Sequence, residues 1–211
     1  MASRRFPGKT LAPFRGEPVI RHVMERVQSA LPGIPPLVAT SDEPSDDPLA
    51  FYLSRLGVTV FRGPLDDVVA RFRACLAEHP CTWILRVSAD SPLLSPEVLQ
   101  AVVERAGEQW DLVTTIFPRT FPKGHNAELI RADVFQRLEH EALTADDREH
   151  VTAFYYRNAG RFRIVNVESG DPRRAEMSVA VDDVDDLRRL EASADTLLRQ
   201  LVYKLPAAAS R

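Results

Sequence analysis

The feature that most constrains this chain is its regular alternation of short β-branched runs with apolar stripes at helical spacing. Leu37-Val38-Ala39-Thr40, Val58-Thr59-Val60-Phe61 and Thr82 to Val87 read as strands, because branched and large apolar side chains fit a half-buried pleated surface. Between them, Leu49 to Leu56 and the set Leu65, Val68, Val69, Phe72 and Leu76 recur at helical spacing. Gly57 stops the first of these, and Asp66 and Asp67 suit the first turn of the second. Asp67 also stands four residues before Arg71, an ion-pair spacing. Val19, Ile20, Val23, Met24, Val27 and Leu31 predict an earlier helix, and Ser95 followed by Pro96 predicts a capped one. Further strands are expected at Asp111 to Phe117, Asn126 to Ile130, Phe162 to Val167 and Met177 to Val181, with helices at 132–142 and 145–158. A last helix carries Leu187, Leu190, Ala194, Leu197, Leu198 and Leu201 on one side. Such alternation indicates one α/β domain over 1–211, a mostly parallel sheet with helices on both faces. In that architecture ligands sit beyond the C-terminal ends of strands.

Charge narrows the function classes. Lys and Arg total 27 against 30 Asp and Glu, a net charge of −3, which is unsuited to a general nucleic-acid binder. No apolar run approaches the roughly 18 residues of a membrane helix, and the charged start Met1 to Lys9 lacks the apolar stretch of a signal peptide. Cys75 and Cys81 are too few for a disulfide framework and read as reduced thiols of a cytoplasmic protein.

Three segments carry potential chemistry. Ser3-Arg4-Arg5-Phe6-Pro7-Gly8-Lys9 puts cations around a glycine that permits close backbone approach, which suits phosphate oxygens. A frayed basic terminus is the alternative, and the glycine spacing of a P-loop is missing. Asp90 follows a buried strand, where a carboxylate is costly unless paired or metal-bound; capping the turn before Pro92 is the other reading. Arg86, inside that strand, must find an anion, a structural salt bridge among the choices. Asp182 ends the run Val179-Ala180-Val181 and shares the position type of Asp90, whereas Asp185 and Asp186 suit a helix start. Two strand-end carboxylates on one sheet edge can hold Mg²⁺ and present it to phosphates.

Taken in order, Ser-x-Arg-Phe-Pro-Gly-Lys, Ala-Thr-Ser-Asp with Asp46-Asp47-Pro48, Val-Phe-Arg-Gly with Asp66-Asp67-Val68, Ala-Asp-Ser-Pro-Leu, Arg148-Glu149-His150-Val151-Thr152 and Val-Asp before the last helix resemble the cytidylyltransferases of the spore-coat polysaccharide biosynthesis protein F type. These are relatives of the synthetases of CMP-linked sialic, pseudaminic and ketodeoxyoctonic acids. The resemblance extends to about residue 200. It implies a Rossmann-like nucleotide-diphospho-sugar transferase fold, and transfer of CMP from CTP to a sugar acid with release of pyrophosphate and use of Mg²⁺. It implies triphosphate binding and catalysis by Arg5 and Lys9, nucleotide binding by Ala2, Ser3, Gly8, Thr40, Asp42 and Ser88, and metal binding by Asp90 and Asp182. Acceptor binding falls to Arg119, Asn126, Glu128, Arg148 and His150, with Arg119 and Lys123 suited to a substrate carboxylate; solvated loop charge is the other reading of Arg119 and Lys123, and helix capping and ion pairs that of Arg148, Glu149 and His150. It also implies a homodimer through about Phe117 to Ile130, where Ile116, Phe117 and Phe121 are expected to form an exposed apolar patch.

The chain departs from the pattern in places. Ala89 replaces a glycine, His125-Asn126 stands where Leu-Asp is usual, and Ser178 replaces an arginine. Relatives carry a β-strand and an Ala-Arg pair directly before the first loop. Met1 occupies the position after that arginine, so the fold is expected with its first strand missing. Met1 is then expected to be an internal methionine preceded by about ten apolar-rich residues, and the 211-residue chain to be poorly stable and nearly inactive. The competing readings are a nucleotidyltransferase with another nucleotide or acceptor, disfavoured by the missing Gly-Gly and Arg-Met-Gly of those enzymes, and an inactive nucleotide-binding subunit.

Overall fold

The computed structural model describes residues 5–205. After a 3-10 turn at Lys9–Leu11, the short antiparallel pair β1 (Pro13–Phe14) and β2 (Glu17–Pro18) leads into α1 (Val19–Ala30). Then β3 (Leu37–Ser41), α2 (Asp47–Arg55), β4 (Thr59–Gly63), α3 (Val68–Glu78) and β5 (Trp83–Val87) alternate. They are followed by α4 (Pro96–Val103), β6 (Leu112–Thr114), β7 (Ala127–Arg131), α5 (Ala132–Gln136), α6 (Ala145–Glu149), α7 (Ala153–Arg157), β8 (Ile164–Asn166) and α8 (Val184–Gln200). The Ser95 cap read from the sequence is present and accepts from the Val98 N–H. Asp67, expected inside the first turn of α3, is instead its N-cap and accepts from the Ala70 N–H. Asp67 also pairs with Arg148 at 2.8 Å, while Arg71 donates to the Pro64 carbonyl, so the expected Asp67–Arg71 pair is replaced by these contacts.

β3 and β4 run parallel, with Leu37 opposite Thr59. The larger sheet has the order β5-β7-β6-β8. In it β6 and β8 are parallel, and β7 runs antiparallel to both β5 and β6. Among the described residues β3 pairs only with β4 and β5 only with β7, so each has one edge without a strand. Alternation within the strands divides the core. Leu85, Val113 and Leu129 pack on the side of α1, α4 and α8. Ile84, Leu112 and Ile130 pack on the side of α3, α5 and α7. Helices therefore cover both faces, as the apolar strands require.

Four expected elements differ. The 111–117 strand ends at Thr114: Thr115 N–H still reaches the Ala127 carbonyl, but beyond it the donors turn to side chains, Ile116 N–H to Thr114 Oγ1 and Phe117 N–H to Asn166 Oδ1. The 132–142 helix tightens into a 3-10 turn at Arg137–His140. The 145–158 helix breaks between α6 and α7, where buried Val151 joins the core and Thr152 donates inward to Glu128. Met177 to Val181 is extended but forms no ladder. Its groups are shared between two partners: Val179 N–H donates to the Lys123 carbonyl, Lys123 N–H to that of Met177, and Val181 N–H to that of Asp90. The apolar patch expected near Phe121 is also absent. Phe121 is fully buried, edge-on to Tyr203, and Phe117 alone of the three is strongly exposed.

Candidate functional site

The site forms where three remote segments meet beyond the C-terminal end of β5. Gly8, at φ 76, turns the first loop with a backbone that other residues rarely adopt. That turn points Lys9 at both predicted metal carboxylates: its ammonium lies 2.6 Å from Asp90 and 3.6 Å from Asp182, and donates to the Val181 carbonyl at 2.8 Å. Arg5 reaches Asp182 at 3.2 Å, and Lys123 forms a short ion pair with the same carboxylate. Burial raises the Asp182 carboxyl, but Lys123, Lys9 and Arg5 outweigh it and hold it below the usual range. The cluster sets three cations against two carboxylates, a balance suited to a polyanionic ligand.

Gly124 makes the approach of Lys123 possible. A Cβ there would meet the Ala180 nitrogen and the Val179 carbonyl carbon at 2.8 Å, and its φ is 105. Lys123, read from the sequence as a partner for a substrate carboxylate, instead grips Asp182.

The other predicted residues divide. Ala2 and Ser3 lie outside the described residues. Ser88 is half-buried just past β5. Thr40 is buried at the end of β3, where its hydroxyl, with the Ser41 hydroxyl and N–H, donates to buried Asp46. Asp42 is exposed and holds the Gly63 carbonyl through its N–H.

Glu128, Asn126 and Arg119 do come together. Glu128 is 1% exposed on β7 and accepts from Thr152 Oγ1 at 2.6 Å, from Tyr156 Oη at 2.7 Å, and from Arg86. Arg86 thus finds the anion its place in the strand demanded. Arg119 donates to Asn126 Oδ1 at 2.6 Å. Arg148 and His150 are elsewhere: each pairs at the exposed surface, with Asp67 and Asp146 respectively, and neither has a bond to Glu128 or Arg119 among the described residues. Thr114, Thr152, Tyr156 and Phe117 were missed as site residues. Thr152 lay inside a quoted motif. Tyr156 lies inside the helix expected over 145–158; its hydroxyl meets both Glu128 and Thr114, and burial beside Glu128 pushes its pKa up.

The sequence matches the profile of the cytidylyltransferase family over residues 1–199. The chain belongs to that family. The cytidylyltransferase is similar to the spore coat polysaccharide biosynthesis protein SpsF of Bacillus subtilis (strain 168), at 28% identity over 91% of this chain and 82% of that protein. Its fold is that of a cytidylyltransferase from Leptospira borgpetersenii, with a TM-score of 0.88, 23% identity and coverage of 96% of this chain and 86% of that one. It is also that of a CMP:2-keto-3-deoxy-manno-octonic acid synthetase solved with CTP, with a TM-score of 0.70, 17% identity and coverage of 92% and 95%. The protein is therefore a nucleotidyltransferase enzyme of α/β fold. No helix among the described residues is long and apolar enough to cross a membrane.

The residues present fit a magnesium ion. The Lys9 ammonium already lies against both Asp90 and Asp182, at 2.6 and 3.6 Å, so the two carboxylates face one cationic position. No group of three or more acidic, His or Cys ligands occurs among the described residues. Two carboxylates are the set Mg²⁺ commonly uses when phosphates and waters supply the rest.

Proposed function

We propose that this cytidylyltransferase transfers CMP from CTP to a sugar acid and releases pyrophosphate, in the synthesis of a surface polysaccharide. The observation that carries the reading is the convergence of Lys9, Arg5 and Lys123 on Asp90 and Asp182 at one strand end. In this reading Lys9 and Arg5 bind the triphosphate and stabilise charge that develops on the departing pyrophosphate. The acceptor hydroxyl oxygen bonds to the α-phosphorus as the bond to the β-phosphate oxygen breaks, and the hydroxyl proton leaves to water. Magnesium held by Asp90 and Asp182 supplies charge neutralisation and alignment of phosphate oxygens. The cytidine and sugar-acid assignments draw on the names of the B. subtilis relative and of the synthetase of like fold.

The deciding experiment is a pyrophosphate-release screen of CTP, UTP, GTP and ATP against several sugar acids, with and without EDTA. Release confined to CTP, an acid and free Mg²⁺ is the expected result; release with another nucleotide, or with none, refutes the assignment. Free Cys75 and Cys81 suit a cytoplasmic enzyme. A homodimer is proposed around exposed Phe117, and light scattering that shows a monomer at micromolar concentration removes it.

A further inference from the structure

Every carboxylate oxygen of Asp90 and Asp182 faces a donor of the chain itself. Asp182 presents Oδ1 to Arg5 at 3.2 Å and to Lys9 at 3.6 Å, and Oδ2 to Lys123. Asp90 takes the Lys9 ammonium on Oδ2 at 2.6 Å and the Ser91 hydroxyl on Oδ1 at 3.2 Å. Asp186 lies next to Asp182 and accepts its N–H, but it is paired with Arg189 at 2.8 Å and adds no free negative charge. Three cations therefore stand against two carboxylates, and the balance is positive before any metal ion enters. A divalent ion bound to these oxygens adds two more charges beside the same ammoniums. Like charges that close repel strongly where solvent is partly excluded. A triphosphate carries more negative charge than the ion carries positive, so it reverses the sign of the balance.

The two lysines are held differently. Lys9 is enclosed, with its side chain 16% exposed, and its ammonium also donates to the Val181 carbonyl. The Lys123 side chain is 50% exposed and pairs only with Asp182 among the described residues. Its backbone, in contrast, is fixed on both sides: its N–H donates to the Met177 carbonyl at 2.9 Å, and its carbonyl accepts from the Val179 N–H at 2.7 Å. Gly124 behind it fits against Val179 and Ala180 with no room for a Cβ. The Lys123 stem thus pivots on a rigid anchor, and its ammonium can leave Asp182 and return without any movement of the main chain.

We propose that Lys123 is an internal counter-ion for Asp182 that makes metal binding conditional on a polyphosphate. Its ammonium opposes a divalent ion at Asp90 and Asp182 until the polyanion draws it off. Metal and polyphosphate then enter as a coupled pair, each raising the affinity for the other by the same factor. Lys123 acts through Asp182 and is a positioning residue. The inference rests on the metal-dependent reading above and adds the residue that regulates that site.

The test is titration of the full chain with Mn²⁺ alone at low salt, read by water-proton relaxation, which changes when the ion passes from bulk solution to a protein site. Lys123→Met removes the charge and keeps the stem, and should bind Mn²⁺ at least about tenfold more tightly than wild type, a modest share of what one close like-charge contact is worth there. Lys123→Arg restores a cation and should return the affinity to within about threefold of wild type, which a merely structural role of position 123 would not require. Adding Asp182→Asn to Lys123→Met should cancel the gain. With preformed Mn²⁺–tripolyphosphate, wild type should bind and Lys123→Met should show no gain over it. Lys123→Gln replaces the Met variant if that one melts early. Equal Mn²⁺ affinity in wild type and the neutral variant overturns the inference. So does a gain that persists with Asp182→Asn or appears in Lys123→Arg, and so does a gain that is equally large with Mn²⁺–tripolyphosphate, or failure of wild type to bind that complex. The probes contain neither base nor sugar, so failure of the CTP and sugar-acid reading shows separately, in the pyrophosphate-release screen.

Discussion

His125 makes stability depend on pH in a window of its own. The imidazole is 1% exposed, with Nδ1 2.7 Å from Tyr203 Oη and Nε2 2.8 Å from the Leu93 carbonyl. Burial lowers its pKa to about 4, against smaller upward pulls from Leu93 and Glu97 and with Arg26 and Arg174 adding to the fall. The folded value lies below the ordinary 6.5, so as pH falls the unfolded chain takes the proton first. The stabilisation is complete above about 6.5, is lost progressively down to about 4, and changes no further below that. At about 1.36 kcal/mol per tenfold change in proton affinity, the whole window is worth about 3 kcal/mol. Carboxylates held low, such as Asp147 at about 2, act below this window. Urea denaturation at pH 7.5, 6.5, 5.5 and 4.5 should show wild type losing about 1 kcal/mol per pH unit more than His125→Gln, whose amide keeps a donor and an acceptor but does not titrate. Parallel profiles for the two proteins would refute the buried neutral imidazole.

Lys9→Ala removes the ammonium shared by Asp90 and Asp182, and should cut turnover by about 10²-fold or more, the cost of losing one charge-stabilising donor; steady-state kinetics checks it. Asp90→Asn should abolish the Mg²⁺-dependent activity while the circular-dichroism melt is retained, since the amide is isosteric. Gly124→Ala must push the 123–125 loop off Val179 and Ala180, and should cost roughly 1–3 kcal/mol of stability with lower activity, read from denaturation midpoints and turnover.

What was legible in the sequence followed local periodicity. β3, β4, β5 and α2 fall within a few residues of their apolar runs, because burial on one or both faces dictates residue type at period 2 or 3.6. The pairing of Asp90 with Asp182 was legible because both end apolar runs, and chains in this architecture expose such ends on one edge. The direction of β7 was not: antiparallel insertion between β5 and β6 leaves the same alternation of residues as a parallel strand. Nor were the partners of polar side chains. Arg148 pairs with Asp67 across 81 positions, and Tyr156 with Glu128 across 28. Such contacts depend on how helices α6 and α7 settle on the sheet, which no local pattern encodes.

The segment Met177 to Val181 shows why the lost strand and the site belong together. A regular strand would spend its donors and acceptors on one neighbour. Here Val179 binds Lys123, Val181 binds Asp90, and the Val181 carbonyl receives Lys9. The backbone of one extended segment therefore ties together the first loop, the end of β5 and the Gly124 loop. The separation of Asp90 and Asp182 is set by main-chain hydrogen bonds rather than by the charges themselves. For that reason neutralising a single carboxylate should change the chemistry of the site while leaving its spacing in place.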